Sequence, residues 1–373
     1  MTDSKGTADE AFMQIALLEA RKGQGFVEPN PMVGCAIVRD GELVGTGHHE
    51  QFGGPHAEVM ALRSLASPGD AVGATAYVTL EPCCHVGKTP PCAEALIQAR
   101  VARVVVGVQD PFPKVDGGGL KRLTDAGIQC VVGVLANEAS DVIAPFAKHV
   151  QSGMPWSIAK WAMTLDGKIA TTSGQSQWIT GPQSRAEVHR LRGRVDAVMT
   201  AMGTVIADNP MLTARPPGPR CQTRVVLCRS RLPAISSKLV QSVGESPVLL
   251  MTSDLISQEQ TAPMADVGVE VVSLKTNNHA QMVSDAMRVL GSRSMTNVMV
   301  EGGGELLGSC LAAKQIDECH VFVGAKIFGG SMAPGPVGGE GIARLTEAES
   351  MTLKSVDSFG SDVRLVYRKT LDA

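Results

Sequence analysis

His56-Ala57-Glu58, followed by Pro82-Cys83 and then Cys92, supplies the parts of a hydrolytic zinc site. His56, Cys83 and Cys92 make three ligands, and tetrahedral zinc keeps a fourth position for a water whose pKa it lowers toward neutrality. Glu58 stands beside that position as the catalytic proton carrier, not as a ligand. The chemistry such a set performs is hydrolytic deamination of a cytosine-like or adenine-like ring.

The spacing dictates the elements. His56 and Glu58 are two apart, so both reach one centre only from a first helical turn that meets the site end-on. Phe52-Gly53-Gly54-Pro55 breaks the chain before them, and Ala57, Met60, Ala61 and Leu65 then recur with helical period. Val78-Thr79-Leu80 reads as a strand that ends at Glu81-Pro82-Cys83. Cys92 opens a second helix, 92–100, after Pro90-Pro91, and a helix start favours its thiolate. The gap between Cys83 and Cys92 is eight residues, longer than in the short deaminase signature. Cys84 competes with Cys83 as ligand, the Pro-Cys junction favouring Cys83. Either cysteine alone would read as a small buried hydrophobe; the combination argues for metal.

A chain of 373 residues has length for two domains. The net charge of −3 with mixed signs, and only three Trp and two Tyr, argue against nucleic acid as partner and against a polybasic membrane contact. Nine scattered cysteines suit a reducing compartment. Residues 1–6 lack an export signal's basic start, 11–20 is too short and carries Gln14 and Glu19, and no apolar run reaches bilayer length. A cytoplasmic protein is expected.

Strand and helix patterns alternate in the first half: helix 9–22, strands 32–38 and 43–47 around Asp40-Gly41, strands 76–80, 103–108 and 128–132, and helices opening at His56, Cys92 and Gly119. A closing helix is expected over 137–150 and a linker over 151–155, which divides the chain into domains 1–150 and 151–373. The second half shows strands at 156–163, 197–200, 224–228, 247–251, 269–274, 297–300 and 319–323, with helices at 182–194, 281–290 and 305–313. It is α/β again. Glu301-Gly302-Gly303-Gly304 between strand 297–300 and helix 305–313 lets a phosphate approach free amides, but on its own it is a weak nucleotide signal. The Gly-rich stretch 328–341 reads as a surface loop.

The run Thr79-Leu80-Glu81-Pro82-Cys83-Cys84-His85-Val86-Gly87-Lys88-Thr89-Pro90-Pro91-Cys92 resembles the zinc segment of the bifunctional deaminase/reductase family of riboflavin biosynthesis, in which the longer Cys-to-Cys loop is usual. Asn30-Pro31-Met32-Val33-Gly34, Thr164-Leu165-Asp166-Gly167-Lys168, Ser176-Gln177-Trp178-Ile179-Thr180-Gly181 and Asp208-Asn209-Pro210-Met211-Leu212-Thr213 match it as well. The resemblance implies a cytidine-deaminase-like three-layer α/β/α domain with Zn²⁺, then a dihydrofolate-reductase-like α/β domain that uses NADPH. Carried over by position, it implies cofactor contacts at Ala162, Trp178, Thr204, Asp208, Gly303, Gly304, Glu305, Leu306, Leu307, Gly308 and Ser309. It implies substrate contacts at Ser176, Arg192, Leu212, Arg215 and Glu301, and, for the first reaction, at Asn30, His85 and Lys88. The substrates would be small phosphorylated pyrimidines, with Arg192 or Arg215 gripping phosphate through a planar fork; a homo-oligomer is the expected assembly.

Two departures lie near the first pocket, Phe112 for the usual Asn after Asp110-Pro111 and Asp116 before the Gly run. In the second half Leu227-Cys228-Arg229-Ser230 lacks the family's acidic residue, although an arginine there suits a 2′-phosphate. Two rivals stand beside this reading. A nucleoside or tRNA-base deaminase with an unrelated appendage would want Cys-x-x-Cys spacing and a basic aromatic face. A non-catalytic, zinc-stabilised NADPH-binding regulator would want a fourth protein ligand, for which Cys84 or His85 is available.

Overall fold

The computed structural model describes residues 4–84, 91–112 and 117–370. The chain divides into two compact units, Met1–Gly153 and Met154–Ala373. In the first, the elements are α1 (Ser4–Arg21), β1 (Gly34–Arg39), β2 (Glu42–His48), α2 (Ala57–Arg63), β3 (Thr75–Leu80), α3 (Cys92–Gln98), β4 (Arg103–Val108), α4 (Gly118–Asp125), β5 (Gln129–Val132) and α5 (Ala136–Ser152). The sheet order is β2-β1-β3-β4-β5, with β1 antiparallel to both neighbours and β3, β4 and β5 parallel. Helices cover both faces. Ala57 and Ala61 of α2, Ala93 and Leu96 of α3 and Leu123 of α4 fill one core; Met13 and Leu17 of α1 and Val142 of α5 fill the other. Leu96 and Leu123 are wholly buried, each contributing ~1.5–3 kcal/mol relative to an exposed side chain.

One close approach places the catalytic helix. A Cβ on Gly47 of β2 would lie 2.3 Å from Ala61 N, so only glycine lets α2 lie backbone-to-backbone on the strand. The boundary falls at 153/154 and not at 150/151, because α5 runs on through Ser152. Gly153, at φ +69, then ends the helix with its amide on His149 O, and the expected linker shrinks to a few residues.

The second unit contains β6 (Trp156–Thr164), α6 (Pro182–Arg192), β7 (Ala197–Ala201), α7 (Met202–Asp208), β8 (Thr223–Cys228), α8 (Lys238–Gln241), β9 (Val248–Thr252), α9 (Gln258–Asp266), β10 (Glu270–Ser273), α10 (His279–Ser292), β11 (Asn297–Glu301), α11 (Gly304–Ala312), β12 (Glu318–Gly324), β13 (Met351–Phe359) and β14 (Asp362–Lys369). Its sheet runs β10-β9-β8-β7-β11-β6-β12-β14-β13, parallel as far as β12 and closed by an antiparallel hairpin. From β7 the chain steps outward through β8, β9 and β10, whereas β11, β6 and β12 lie on the other side. The order therefore reverses between β7 and β11, and the crevice beyond their carboxyl ends is where an open α/β sheet receives ligands. Ala162, Thr204, Glu301 and Gly303 all sit at or just past the ends of β6, β7 and β11. The closing hairpin of β13 and β14 and the helices α7, α8 and α9 lie outside what the sequence pattern predicts.

Candidate functional site

His56 is the N-cap of α2, so its side chain and that of Glu58, in the first turn, both leave the helix at its open end. Cys83 follows the end of β3, and Cys92 is the first residue of α3, with its amide donating to Cys83 Sγ at 3.4 Å. His56 Nδ1 lies 3.2 Å from Cys92 Sγ and 3.6 Å from Cys83 Sγ, and the three donor atoms fall within 4.8 Å of one another. Tetrahedral zinc with ordinary bond lengths sets its ligand atoms ~3.5–3.8 Å apart, so the donor set fits Zn²⁺ in both chemistry and spacing. Glu58 is buried and its Oε2 has no hydrogen-bond partner. A buried carboxylate oxygen left open beside a metal cage is available for water. Burial, then the charge of Cys83, pushes the Glu58 carboxyl up.

Cys84 is turned elsewhere: a Cβ on Gly118 would meet its Sγ at 2.7 Å, and it is not among the clustered donors. The Cys92 sulfur is wholly buried, and its hydrogen bond to Cys83, followed by burial and the charge of Glu58, pushes the thiol up. Cys83 is the sulfur that is pulled down, to about 4, first by its bond with Cys92 and further by His56.

Two residues that position the site were missed. The buried Glu81 carboxylate accepts the amides of Asp110 (3.3 Å), Gly117 (3.1 Å), Gly119 (3.0 Å) and Leu120 (3.2 Å), tying the strand end before Cys83 to the start of α4. At Gly119 an added Cβ would lie 1.8 Å from Pro82 O, so the contact admits no side chain. His49, buried, donates from Nδ1 to Pro55 O at 2.9 Å, meets the His56 ring edge-on with centroids 5.3 Å apart, and accepts Asn30 Nδ2 at 3.2 Å on Nε2. Burial lowers its pKa, which keeps that acceptor neutral. Asn30 thus reaches the site's edge through His49. His85, Lys88 and Asp116 lie outside the described residues; Phe112 donates its amide to Asp110 Oδ1 at 2.8 Å.

In the second unit, the end of β11 carries Glu301, which is gripped by Arg192 through Nε (2.5 Å) and Nη2 (3.0 Å) and by Lys160 Nζ (3.3 Å). Burial pushes the Glu301 carboxyl up, but Arg192 and Lys160 outweigh it and hold it at about 2. Arg192 is therefore neither a phosphate fork standing open nor a solvated helix residue: its side chain is 13 % exposed, and its remaining Nη1 donates to Thr213 O. Arg215 is exposed, with its Nη1 3.3 Å from Met211 Sδ, and Leu212 is buried. Lys160, missed from sequence, is the one cation inside the apolar run of β6.

Ser176 Oγ and Gln177 Nε2 approach Asp208 Oδ1 at 3.4 and 3.5 Å, which brings an expected substrate contact and an expected cofactor contact together at the end of α7. Trp178 is 60 % exposed, with the Arg185 guanidinium 4.5 Å over its ring. Thr204 is half-buried in the first turn of α7. Gly303 is the N-cap of α11, no side chain caps the helix, and a Cβ at Gly303 would meet nothing within 4 Å. Open amides at an uncapped start fit the phosphates of NADPH. Only the first turn offers them. The Leu306 and Leu307 side chains are in the core and the Leu307 amide is spent on Gly303 O, so these residues contribute backbone at most. The loop 328–341 is largely exposed, yet Gly338 N donates to Gly304 O at 2.8 Å, which sets it beside α11.

Residues 155–365 match the family described as the RibD C-terminal domain, and residues 6–108 match the cytidine and deoxycytidylate deaminase zinc-binding region. The riboflavin biosynthesis protein RibD of Actinobacillus pleuropneumoniae is 40% identical over 366 residues, 97% of this chain and 96% of the relative. The chain belongs to the RibD family. The Escherichia coli RibD is 39% identical over 96% of this chain and 98% of its own length. Acinetobacter baumannii RibD superposes with a TM-score of 0.83 at 35% identity, covering 98% of this chain and all of that one. A Thermotoga maritima protein described as a diaminohydroxyphosphoribosylaminopyrimidine deaminase/5-amino-6-(5-phosphoribosylamino)uracil reductase gives the same score, identity and coverage. The first unit is therefore the deaminase-like half of a RibD protein and the second its dihydrofolate-reductase-like half. Among the described residues no helix is long and apolar enough to cross a membrane.

Proposed function

We propose that this RibD-family chain performs two successive steps of riboflavin synthesis. The first half removes an amino group from 2,5-diamino-6-ribosylamino-4(3H)-pyrimidinone 5′-phosphate by hydrolysis. The second reduces the ribosyl chain of 5-amino-6-(5-phosphoribosylamino)uracil to ribityl with NADPH. The observation that carries the reading is the unpartnered, buried Glu58 Oε2 beside the His56, Cys83 and Cys92 donors. Zn²⁺ held there supplies, when bound, a Lewis acid that activates water at neutral pH. Glu58 takes one proton of the attacking water to the ring nitrogen, then carries the second, from the hydroxyl so formed, to the amino group that leaves as ammonia, and its raised pKa suits both receiving and giving. Asn30, held by His49 behind it, orients the pyrimidine in this reading.

In the second half NADPH supplies the hydride, and the protein supplies binding, orientation and exclusion of water. The first turn of α11 and Thr204 hold the cofactor's phosphates, while Trp178 and Asp208 flank it. Arg215 holds the substrate phosphate, and the Glu301–Arg192–Lys160 cluster forms the polar wall beside the ribosyl chain. His85 and Lys88 belong to the first substrate's site in the same reading, as do a homo-oligomeric assembly and a cytoplasmic location. No observation favours a nucleic-acid deaminase or a regulator.

Incubating the protein with the diaminopyrimidine ribotide, following ammonia and NADPH absorbance separately, tests this. Ammonia is expected without NADPH, and NADPH oxidation only once the deaminated product has formed. Silence in either channel removes that half's activity from the reading.

A further inference from the structure

The segment 209–213, between α7 and Arg215, is held by its carbonyls. Arg224 on β8, wholly buried, donates from Nη1 to Met211 O at 3.0 Å. Gln222, also buried, donates from Nε2 to Leu212 O at 3.2 Å. Thr213 O receives both His189 Nδ1 and Arg192 Nη1 at 3.2 Å. Upstream, Asn209 Oδ1 accepts the Lys238 amide at 2.9 Å. Three consecutive carbonyls are thus each taken by a side chain, whereas the amides of Met211, Leu212 and Thr213 donate to none of the described residues. Leu212, in the middle, has φ +58, a region a non-glycine residue keeps only when its surroundings impose it.

Arg224 is an expensive way to fill space. Among the described residues it has no carboxylate partner: its other contacts are Ser242 Oγ (2.7 Å), Ser242 O (2.8 Å) and Ser246 O, and its Nε has none. Glu245 acts on Arg224 only at a distance, and burial outweighs that charge, so the guanidinium costs stability that an apolar side chain of similar volume would not. What the charge does accomplish is to fix Met211 O against β8.

We propose that Arg224 and Gln222 are positioning residues for the reductase half, locking the Met211 and Leu212 carbonyls so that the amides of this segment and Arg215 are presented together to the substrate phosphate. This rests on the reading that Leu212 and Arg215 line the substrate side. Neither positioning side chain touches substrate; each acts through the backbone it holds.

The test measures KM and kcat of the full-length protein for the phosphorylated aminouracil and for its dephosphorylated counterpart, with ammonia release as a check on the other half and a melting curve for each variant. Gln222→Met, which keeps volume and leaves Leu212 O unpaired, should raise KM for the phosphorylated substrate about five-fold, and Arg224→Met about twenty-fold, with kcat within about two-fold. Arg224→Lys, retaining charge but not the fork, should fall between them. Discrimination against the dephosphorylated compound should shrink by the same factors. Should Arg224→Met fail to fold, Gln222→Met decides. A fall in kcat and melting temperature with discrimination intact overturns the proposal. If Arg215→Ala also leaves discrimination intact, the substrate reading itself is wrong; if Arg215→Ala abolishes it while the other variants keep it, only the positioning role is wrong.

Discussion

The two halves build their sites from different material. In the first, four side chains at the starts and ends of short elements carry the chemistry: His56 and Glu58 at the open end of α2, Cys83 after β3, and Cys92 at the start of α3. In the reading proposed for the second, much of the work falls to main-chain groups, the amides opening α11 and those of residues 211–213, while charged side chains such as Arg192 and Glu301 are engaged with each other. A site of reactive side chains announces itself by residue type. A site of oriented backbone does not, because any residue provides an amide and only the fold decides which amides are free.

The comparison breaks most sharply at Glu58. Glu58→Gln keeps shape and removes the titrating proton, so deamination should fall by ~10²–10⁴ while zinc content and NADPH oxidation with deaminated substrate stay unchanged. Metal analysis and the two assays on one preparation check this; loss of zinc along with activity would make Glu58 part of the cage and not its proton carrier.

The counterpart in the second half is a stability effect. Glu301→Gln leaves Arg192 and Lys160 buried without their carboxylate, which should destabilise that half by ~3–5 kcal/mol. Since Glu301 is held at about 2, below the ~4.3 of a free glutamate, its contribution is complete above that higher value and is lost as pH falls toward 2. All three tryptophans, Trp156, Trp161 and Trp178, lie in the second unit, so Trp emission follows its unfolding alone. Acid destabilisation over that window should be shallower in the variant than in the parent.

A smaller effect belongs to Arg215. Removing one charged hydrogen-bonding partner of a phosphate costs ~1.5–3 kcal/mol, so Arg215→Ala should raise KM for the reductase substrate roughly 10- to 100-fold with little change in the melting of the second unit. Unchanged KM would return the phosphate to Arg192, which would then have to leave Glu301.

How far the sequence could be read follows from the same contrast. The convergence of His56, Cys83 and Cys92, the two α/β units and most central strands were legible, because breakers such as Gly53-Gly54-Pro55 and Pro90-Pro91 stand directly before helices α2 and α3 and the strands are apolar runs. The closing hairpin was not: on β13, Leu353 and Val356 face solvent, so its outward positions lack the polar alternation that marks a half-buried strand. Helix α9 carries Pro263, and α7 is seven residues long; neither presents enough turns for a period. The ion pair of Arg192 was illegible for another reason. Its partner Glu301 is 109 positions away, and nothing local distinguishes a basic residue buried in a long-range ion pair from one waiting for a ligand. Glu81 and His49 escaped for the same reason, as their partners are amides and rings brought in by the fold.

The least conspicuous prediction concerns the doublet at the zinc cage. By residue type Cys83 and Cys84 are equivalent ligands, and a single-residue slip would exchange them. The structure separates them by direction: Cys83 Sγ receives the Cys92 amide and faces His56, whereas Cys84 Sγ lies against Gly118 at the start of α4. Cys84→Ser should therefore leave zinc stoichiometry unchanged and alter deamination by less than about two-fold, a surface-sized effect. Cys83→Ser on the same background should empty the site, because one imidazole and one thiolate leave zinc two ligands short of a closed tetrahedron. Retained zinc in the Cys83 variant and lost zinc in the Cys84 variant would mean that the strand end shifts by one residue when metal binds, and Glu81, through its four amide contacts, would be the side chain resisting that shift.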